Sequence, residues 1–484
     1  MAVSENYLAV DLGAGSGRVA LGRFDGRRLR LEEVRRFPNH PVAVNERLYW
    51  DALRLLDEIK AGVAETAAEK PRSLGVDSWG VDYALLDEGG DLVGNPSCYR
   101  DRRTDGVMKR VLGKMSRDEI FAHTGLQFME INTLYQLCSM QGSSALERAA
   151  TLLMIPDLFH YWLTGVKLCE FTDATTTQLY DSRQDRWAWP VIHRLKLPDH
   201  IFPEIVRPAT NLGAVQSTVA EEIGFSLDVV TPGSHDTASA VAATPAEGAV
   251  WAFLSSGTWS LFGAETAEPL LNATVLEKNF TNEGGVAGTN RLLKNICGFW
   301  LLEECRREWA RQGVEASYGR LLAESAREEP CRSVVDVDDP AFVAPGDMPA
   351  RIAAACERSG QPRPETTAQF ARTVFDSLAV KYRLTLEDLA DILARRPRVL
   401  HIVGGGAQNE LVCQMVADAC DTPVVAGPVE ATALGNIAAQ LVSAGRVSGF
   451  DEARRLIAQS VELRRYEPQP SGLWAEAAAR LRSK

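Results

Sequence analysis

Residues 7–19 read YLAVDLGAGSGRV and residues 251–263 read WAFLSSGTWSLFG. In each, an apolar strand runs into a Gly/Ser hinge and out into another strand, once in each half of the chain. Any fold that accommodates this pattern must end a buried strand in a tight turn twice over. Two such hairpins suggest two cradles facing one phosphate chain.

The exit from the first hinge separates the nucleotide-binding folds. In a dinucleotide-binding unit GxGxxG opens a helix, whereas here Gly13, Gly15 and Gly17 have a different spacing and lead into RVALGRF, with Val19 and Leu21 at strand spacing. Asp25-Gly26 then supplies a hairpin turn and RLRLEEVRRF a third strand, so the chain opens as a β-meander. A glycine-rich loop between paired strands can still hold phosphate, because its backbone approaches closely and presents successive N–H groups. GxxxxGK[ST] occurs nowhere in the chain, which excludes a P-loop.

At 484 residues the chain exceeds what one core usually supports. Two domains are expected, 1–245 and 246–484, with AVAATPAEGAV at 240–250 as the crossing. A net charge of −12 argues against nucleic acid or an anionic membrane as partner, since either favours a basic surface. The nine cysteines are dispersed and form no CxxC pair, the usage of reduced thiols in a cytosol rather than of a disulfide framework or zinc site. The N-terminus lacks a basic region followed by an apolar stretch, and no run approaches the ~18 apolar residues of a membrane span. A soluble, unprocessed cytoplasmic protein is expected.

Along the chain, 51–70 reads as a helix capped by Asp51, with Leu53, Leu56, Ile59 and Val63 on its apolar face and Pro71 as its stop. In the second half, helices are expected at 291–312 and 366–395, and a buried strand at 398–406. A helix in NELVCQMVADAC, a strand in TPVVAG and a helix in ATALGNIAAQLVSAG follow. The Asp-, Pro- and Arg-rich stretch 328–365 reads as a surface excursion.

Several segments carry candidate chemistry. Asp11 closes its strand just before the first hinge and Arg18 follows it. The carboxylate could hold the water shell of Mg²⁺ and the guanidinium could reach a terminal phosphate; equally, the pair could be a turn cap and a surface arginine. HIVGGGAQN puts three glycines at the end of an apolar strand, where anions and nucleotides sit in α/β folds, or where a tight turn needs them. In PGSHDTASAV (232–241), Asp236 can accept the proton of an attacking hydroxyl or cap the helix that Thr237 begins. Asp77, Trp79, Gly80 and Asp82, with Asp101 and Arg103, suit a sugar, although an edge-strand Trp explains the ring as well. TDATTTQLYD, with Asp173, reads as a capped helix start.

Together AVDLGAGSGRVAL, DSWGVDYALLD, YRDRRT, NTLYQL, TDATTTQL, SHDTASAV, LSSGTWSL, TNEGG, LKNICGFWLLEE, HIVGGGAQN and VAGPVEATALGN resemble the FGGY carbohydrate kinases, in order over nearly the whole chain. GGGAQN and EATALGN are general to that family, whereas SHDTASA and LSSGTWSL resemble its L-rhamnulose branch. The resemblance implies an α/β fold of two actin-like (ribonuclease-H-like) domains with ATP and Mg²⁺ in an interdomain cleft. It further implies transfer of the γ-phosphoryl to O1 of L-rhamnulose, in L-rhamnose catabolism, by a monomer or small homo-oligomer whose partners are ATP and a small ketose. Residue by residue, it makes Asp236 the base and Asp11 the metal-side carboxylate. Ala14, Gly15, Ser16, Gly17, Arg18 and Thr258 would hold the phosphates and Gly405 the nucleotide, while Gly80, His235, Asp236, Thr237 and Asn295 would line the sugar pocket. Glu303 departs from the glutamine often found there, and an ionised carboxylate cannot donate a hydrogen bond. TLYQL replaces the family's Lys-Leu signature near residue 135, a change the L-rhamnulose branch shares.

Two rival readings remain at this stage. An ATP-driven chaperone would need a peptide-binding domain, where this chain has about one short helix after its last nucleotide segment. A kinase for L-fuculose or D-xylulose has the same residue spacing, which does not tell one ketose from another.

Overall fold

The computed structural model describes residues 4–248, 250–469 and 471–482. The chain forms two compact units, one from Met1–Pro245, Glu265–Leu292 and Glu430–Val461, the other from Ala246–Ala264, Leu293–Val429 and Glu462–Lys484.

The first unit is organised on a sheet with strand order 211–214, 228–230, 73–78, 5–12, 16–24, 29–38. Glu5–Leu12 lies in the interior of this sheet, antiparallel to Ser16–Phe24 and parallel to Ser73–Ser78. Tyr7, Leu8, Ala9 and Val10 are fully buried, which is why this strand reads as a continuous apolar run rather than an alternating one. The expected meander is present: the glycine hinge exits into a strand, and the turn at Asp25 closes with its N–H donating to the Arg28 carbonyl at 3.2 Å.

A second sheet repeats the scheme, with strand order 281–284, 290–297, 259–266, 251–256, 399–403, 424–426, 464–466. Trp251–Ser256 is antiparallel to its hairpin partner and parallel to Val399–Val403, which is parallel in turn to Val424–Ala426. In both units, then, a meander leads into a parallel crossover. Each glycine hinge sits at the carboxyl end of an interior strand.

Three expectations need correction. The helix Ala52–Ala64 is capped by Asp51 as expected, accepting from the Arg54 N–H at 3.2 Å, but it buries Ala52, Leu55, Ile59, Gly62 and Val63 and leaves Leu53 60% exposed. On the buried stripe Gly62 fits flush against Val19, where a Cβ would come within 2.6 Å. Residues 291–312 are not one helix: Asn290–Cys297 is a strand, and the helix is Trp300–Arg311. A short apolar run such as RLLKNIC is not distinguishable from a helix by periodicity, and Gly298 is the break between the two. Residues 328–365 are not a surface excursion. Val334, Val337, Phe342, Met348 and Ile352 are fully buried, and two of the aspartates are caps, Asp339 accepting from Ala341 N–H at 2.9 Å and Asp347 from Ala350 N–H at 3.0 Å, while Asp336 and Asp338 pair with Lys381.

The nine cysteines are buried and unpaired with one another. Among the described residues, no helix is long and apolar enough to cross a membrane.

Candidate active site

The strand ends of the first unit gather carboxylates. Asp11 is the register partner of Arg18 across the hairpin and of Asp77 across the parallel pair. Arg18 donates through Nε and Nη2 to one oxygen of Asp11 at 2.9 and 2.6 Å, and its Nη1 pairs with Glu430. Asp77 is completely buried, and its carboxyl is held well above the usual range by burial and by the neighbouring Asp11. Asn436 Nδ2 donates to it at 2.6 Å and opposes that shift, while its Oδ1 has no hydrogen-bond partner. The loop itself is closed by Gly13 N–H donating to Ser16 O at 2.9 Å and by Asn39, whose Nδ2 donates to Gly13 O at 2.8 Å. Gly17 packs against the Phe37 ring, whereas a Cβ on Gly15 would meet nothing within 4 Å. Of the hinge glycines, Gly17 serves packing and Gly15 faces open space.

Next to this row, Ser78 N–H donates to Ser234 O at 2.8 Å and Ser78 bridges to His235, setting the start of the helix Asp236–Ala242 beside the strand end. Asp236 is not the N-cap: His235 occupies that position without a side-chain cap bond, and Asp236 is the first helical residue. Freed from capping, the Asp236 side chain keeps 31% of its surface accessible. Its pKa is raised, chiefly by desolvation and secondarily by Asp11, with His235 opposing. Thr237 Oγ1 donates to Asp236 at 3.0 Å.

The backbone leading into this helix is clamped by a residue that the sequence did not single out. Glu170, fully buried, accepts from Ser234 N–H at 3.0 Å, from Thr172 N–H at 2.9 Å and from the Thr172 hydroxyl, which itself accepts from His235 N–H at 3.1 Å. TDATTTQLYD does open in a short capped helix, Phe171–Ala174 with Glu170 as its cap, and every residue of it is buried. Burial pushes the Glu170 carboxyl up to about 8, with Asp157 adding repulsion against the lowering effect of the Thr172 and Ser234 donors. The folded protein therefore holds a proton there up to about pH 8, whereas the ordinary carboxyl releases it near 4.5. This contribution to stability is complete below the lower value and is lost as pH rises through the higher one. Urea unfolding between those two values should show stability falling with pH, this group adding up to ~1.4 kcal/mol per pH unit. Glu170→Gln, which keeps a carbonyl acceptor and cannot ionise, should reduce that slope; an unchanged slope would mean the carboxyl is charged throughout.

Gly80 approaches Thr176, where a Cβ would lie 2.8 Å from the methyl group. Its neighbour Val81 has φ of +67°, an uncommon state for a β-branched residue, and is held there by three contacts. Thr176 accepts from its N–H at 3.0 Å, and Thr133 and Gln136 donate to its carbonyl at 2.7 and 3.2 Å. Trp79 is neither in a strand nor available to stack on a sugar: it is 6% exposed and lies 4.3 Å, centroid to centroid, from Trp50. Both indoles donate to Asp82, at 3.0 and 2.6 Å. Asp101 is likewise structural, accepting from Arg47 Nε at 2.9 Å and Leu48 N–H at 2.7 Å.

In the second unit the glycine triplet divides its labour. Gly404 has φ of +81° and makes the turn; a Cβ on Gly406 would come within 2.2 Å of the Ser256 hydroxyl; Gly405 alone has nothing within 4 Å. The turn adjoins the second hairpin because Ser255 and Val403 are register partners. Thr258 is exposed at the hairpin tip, and its carbonyl accepts from Trp300 N–H at 3.2 Å. Asn295 is half-buried on Asn290–Cys297. Glu303 is engaged by Arg306 Nη1 at 2.9 and 3.1 Å.

Within the first unit the structure thus brings together Asp11, Arg18, Asp77, His235, Asp236 and Thr237 on neighbouring elements. Thr258, Asn295, Glu303 and Gly405 belong to the second unit. Glu170, Glu283, Arg291 and Asn436 were not singled out: Glu283 and Asn436 lie inside TNEGG and EATALGN without a role being assigned, and the signal of Glu170 and Arg291 lies only in their burial.

Residues 6–243 match the N-terminal domain and residues 252–444 the C-terminal domain of the FGGY family of carbohydrate kinases. The chain is 42% identical over 480 residues to a rhamnulokinase of Bacteroides thetaiotaomicron, covering 98% of each. It is 40% identical over 466 residues to a rhamnulokinase of Halalkalibacterium halodurans, covering 95% of this chain and 98% of that one. Among solved structures, a xylulose kinase from Rhodospirillum rubrum is similar with a TM-score of 0.77 at 17% identity, covering 99% of this chain and 98% of that one. Plasmodium falciparum glycerol kinase with ADP is similar with a TM-score of 0.76 at 14% identity and the same coverage. At such identities the structural likeness speaks for the fold alone.

Proposed function

Because the chain belongs to the FGGY family of carbohydrate kinases, we propose that it transfers the γ-phosphoryl group of ATP to O1 of L-rhamnulose, giving L-rhamnulose 1-phosphate and ADP. The observation that carries the substrate is the identity of about 40% along nearly the whole chain to proteins named rhamnulokinase.

Phosphoryl transfer leaves the protein mainly positioning and electrostatic work, plus the disposal of one proton. Asp236 takes the O1 proton as the P–O bond forms. An accessible carboxylate with a raised pKa, on the first turn of a helix whose entry is clamped by Glu170 and Thr172, supports that role. Gly80, His235, Thr237 and Asn295 contribute to ketose binding. Backbone N–H groups of 14–17, with Arg18 and Thr258, bind the phosphates, and the open space at Gly405 admits the nucleotide.

Mg²⁺ would be held on the Asp11 side. Among the described residues no three His, Cys, Asp or Glu side chains form a cage. That donor set fits a cation that keeps most of its waters and is bound by one or two carboxylates and substrate phosphates. The orphaned Asp77 oxygen in the next strand is a further acceptor for that shell. When bound, the ion neutralises phosphate charge. A cytoplasmic location and a monomer or small homo-oligomer complete the proposal.

A coupled ADP-release assay over a panel of ketoses and polyols tests it. L-Rhamnulose should exceed D-xylulose and glycerol by roughly 10²-fold or more in kcat/KM, because a site built to bond hydroxyls rejects molecules that leave its buried groups unpaired. Faster turnover of L-fuculose or D-xylulose would assign the enzyme to that sugar instead, and equal rates on glycerol would remove the ketose assignment.

A further inference from the structure

Among the described non-glycine residues with positive φ, Val81 alone is β-branched. It is the centre of a three-residue turn in which Asp82 N–H donates to Gly80 O at 2.9 Å, and such a turn is rare and strained when its central φ is positive. A glycine would take that conformation at no steric cost. Yet Gly80, one residue earlier, does not have positive φ, so the strain falls on the valine.

The backbone groups of this turn can be accounted for one by one. The Thr176 hydroxyl donates to Asp173 O at 2.8 Å, which leaves it an acceptor for Val81 N–H at 3.0 Å. The Val81 carbonyl accepts from Thr133 at 2.7 Å and from Gln136 at 3.2 Å. The Asp82 carbonyl accepts from Ile155 N–H at 3.2 Å, and the Asp82 side chain is anchored by both indoles, by Tyr99 N–H at 3.1 Å and by Gln136 at 2.9 Å. One group is left over. Gly80 N–H, on a half-buried residue, has no hydrogen-bond partner among the described residues. The segment that supplies Thr176 also supplies Glu170 and Thr172, which bond Ser234 N–H and His235 N–H at the entry of the Asp236 helix, and all these residues belong to the first unit.

We propose that Thr133, Thr176 and Gln136 are positioning residues for the ketose: they hold the strained turn at Val81 so that Gly80 N–H is free to donate to a ketose oxygen, at an offset from Asp236 set by the 170–176 segment. The inference rests on the kinase reading above and deepens it. Strained backbone persists only where its surroundings over-determine it, and it gathers where geometry is used. Here the over-determination comes from Thr133 and Gln136, which are fully buried, and from Thr176, which is nearly so. A backbone N–H without a partner is costly once water is excluded, so a sugar oxygen that closes over Gly80 satisfies a group the fold leaves open.

Two measurements decide it. The first is residue-resolved hydrogen–deuterium exchange on the wild-type protein, with and without L-rhamnulose at a concentration that calorimetry shows to be saturating. Without sugar, the Val81 and Asp82 amides should exchange at least about 100-fold more slowly than Gly80, and saturating sugar should slow Gly80 by about tenfold or more. A Gly80 amide already protected in the free protein, or one that the sugar leaves unchanged, would overturn the proposal. The second is the kinetics of Thr133→Val, which keeps the shape of the side chain and removes the hydroxyl that bonds the Val81 carbonyl. The ketose KM should rise about tenfold, the worth of one hydrogen bond, while the KM for ATP stays within about twofold of wild type. Thr133→Ser, which restores the hydroxyl, should bring the ketose KM back toward the wild-type value. A threonine that serves the fold alone would lower the thermal midpoint without separating the two KM values, and that result, or a folded Thr133→Val with the wild-type ketose KM, would sink the idea. If Thr133→Val does not fold, the exchange pattern of the wild type decides alone. Should the wild type turn over another ketose of the panel in place of L-rhamnulose, the substrate assignment fails, and the same measurements made with that ketose decide the role of the turn.

Discussion

Asp236→Asn is expected to lower kcat by roughly 10²–10⁴-fold with the ketose KM little changed, the signature of an interaction made in the transition state. Asparagine keeps the shape and reach of the side chain and removes only the basic oxygen. The observed geometry makes this a clean experiment. Because His235 holds the cap position and the Asp236 side chain caps nothing, no helix-capping energy is at stake. A loss of activity would therefore report on chemistry, and urea unfolding should find the variant within about 0.5 kcal/mol of wild type. A purified, folded Asp236→Asn enzyme with near-normal turnover would place the base elsewhere. His235, whose Nε2 lies 3.5 Å from Asp236 Oδ1, is the next candidate.

The second large effect is expected at Gly435, in the helix Ala431–Ser443. Helix propensity alone predicts that Gly435→Ala would stabilise by ~1 kcal/mol. Packing predicts the opposite: a Cβ there would lie 1.8 Å from the carbonyl oxygen and 2.5 Å from the carbonyl carbon of Ser239, in the helix that begins with Asp236. Both atoms are backbone, so no rotamer change relieves the contact. Overpacking of this kind costs typically 1–3 kcal/mol, and with the contact at the upper end of that range the expected net result, less the propensity gain, is a destabilisation of about 2 kcal/mol. The Asp236 helix must shift to make room, so kcat should fall by roughly tenfold or more, since ångström displacements near the chemistry are costly. Gly435→Ala with unchanged midpoint and turnover would mean that the two helices do not approach so closely.

Local patterns were legible in the sequence and long-range ones were not. The first hinge was readable as a strand–turn–strand because glycine spacing and the apolar run at 7–12 are both local. At the glycine triplet, sequence could only weigh a turn against a ligand site. The structure shows the turn, with Gly404 and Gly406 consumed by backbone and packing, and leaves open space at Gly405. Asp236 was readable as a candidate base, but its alternative as a cap fell only when the helix start could be located to the residue. Glu170 and Arg291 carry no motif, and Glu283 lies inside TNEGG without that motif giving it a role. Their importance comes from desolvation, a property of what surrounds a side chain rather than of its neighbours in sequence. Trp79 misled for the same reason: its ring is spent on Trp50 and its N–H on Asp82.

The first unit takes its third segment, Glu430–Val461, from near the end of the chain. That segment brings Asn436, which donates to Asp77 at 2.6 Å and to Gly75 O at 3.1 Å, and Gln440, which bonds Ser73 and Leu8 O at 2.7 and 2.8 Å. During biosynthesis these partners emerge from the ribosome about 200 residues after Pro245, a delay of roughly 10–40 s at ordinary elongation rates. For that interval the nascent sheet carries a charged aspartate and open polar groups on a face meant to be sealed. The buried polar groups of Leu8, Ser73, Gly75 and Asp77 therefore gain these partners only once Glu430–Val461 has been synthesised.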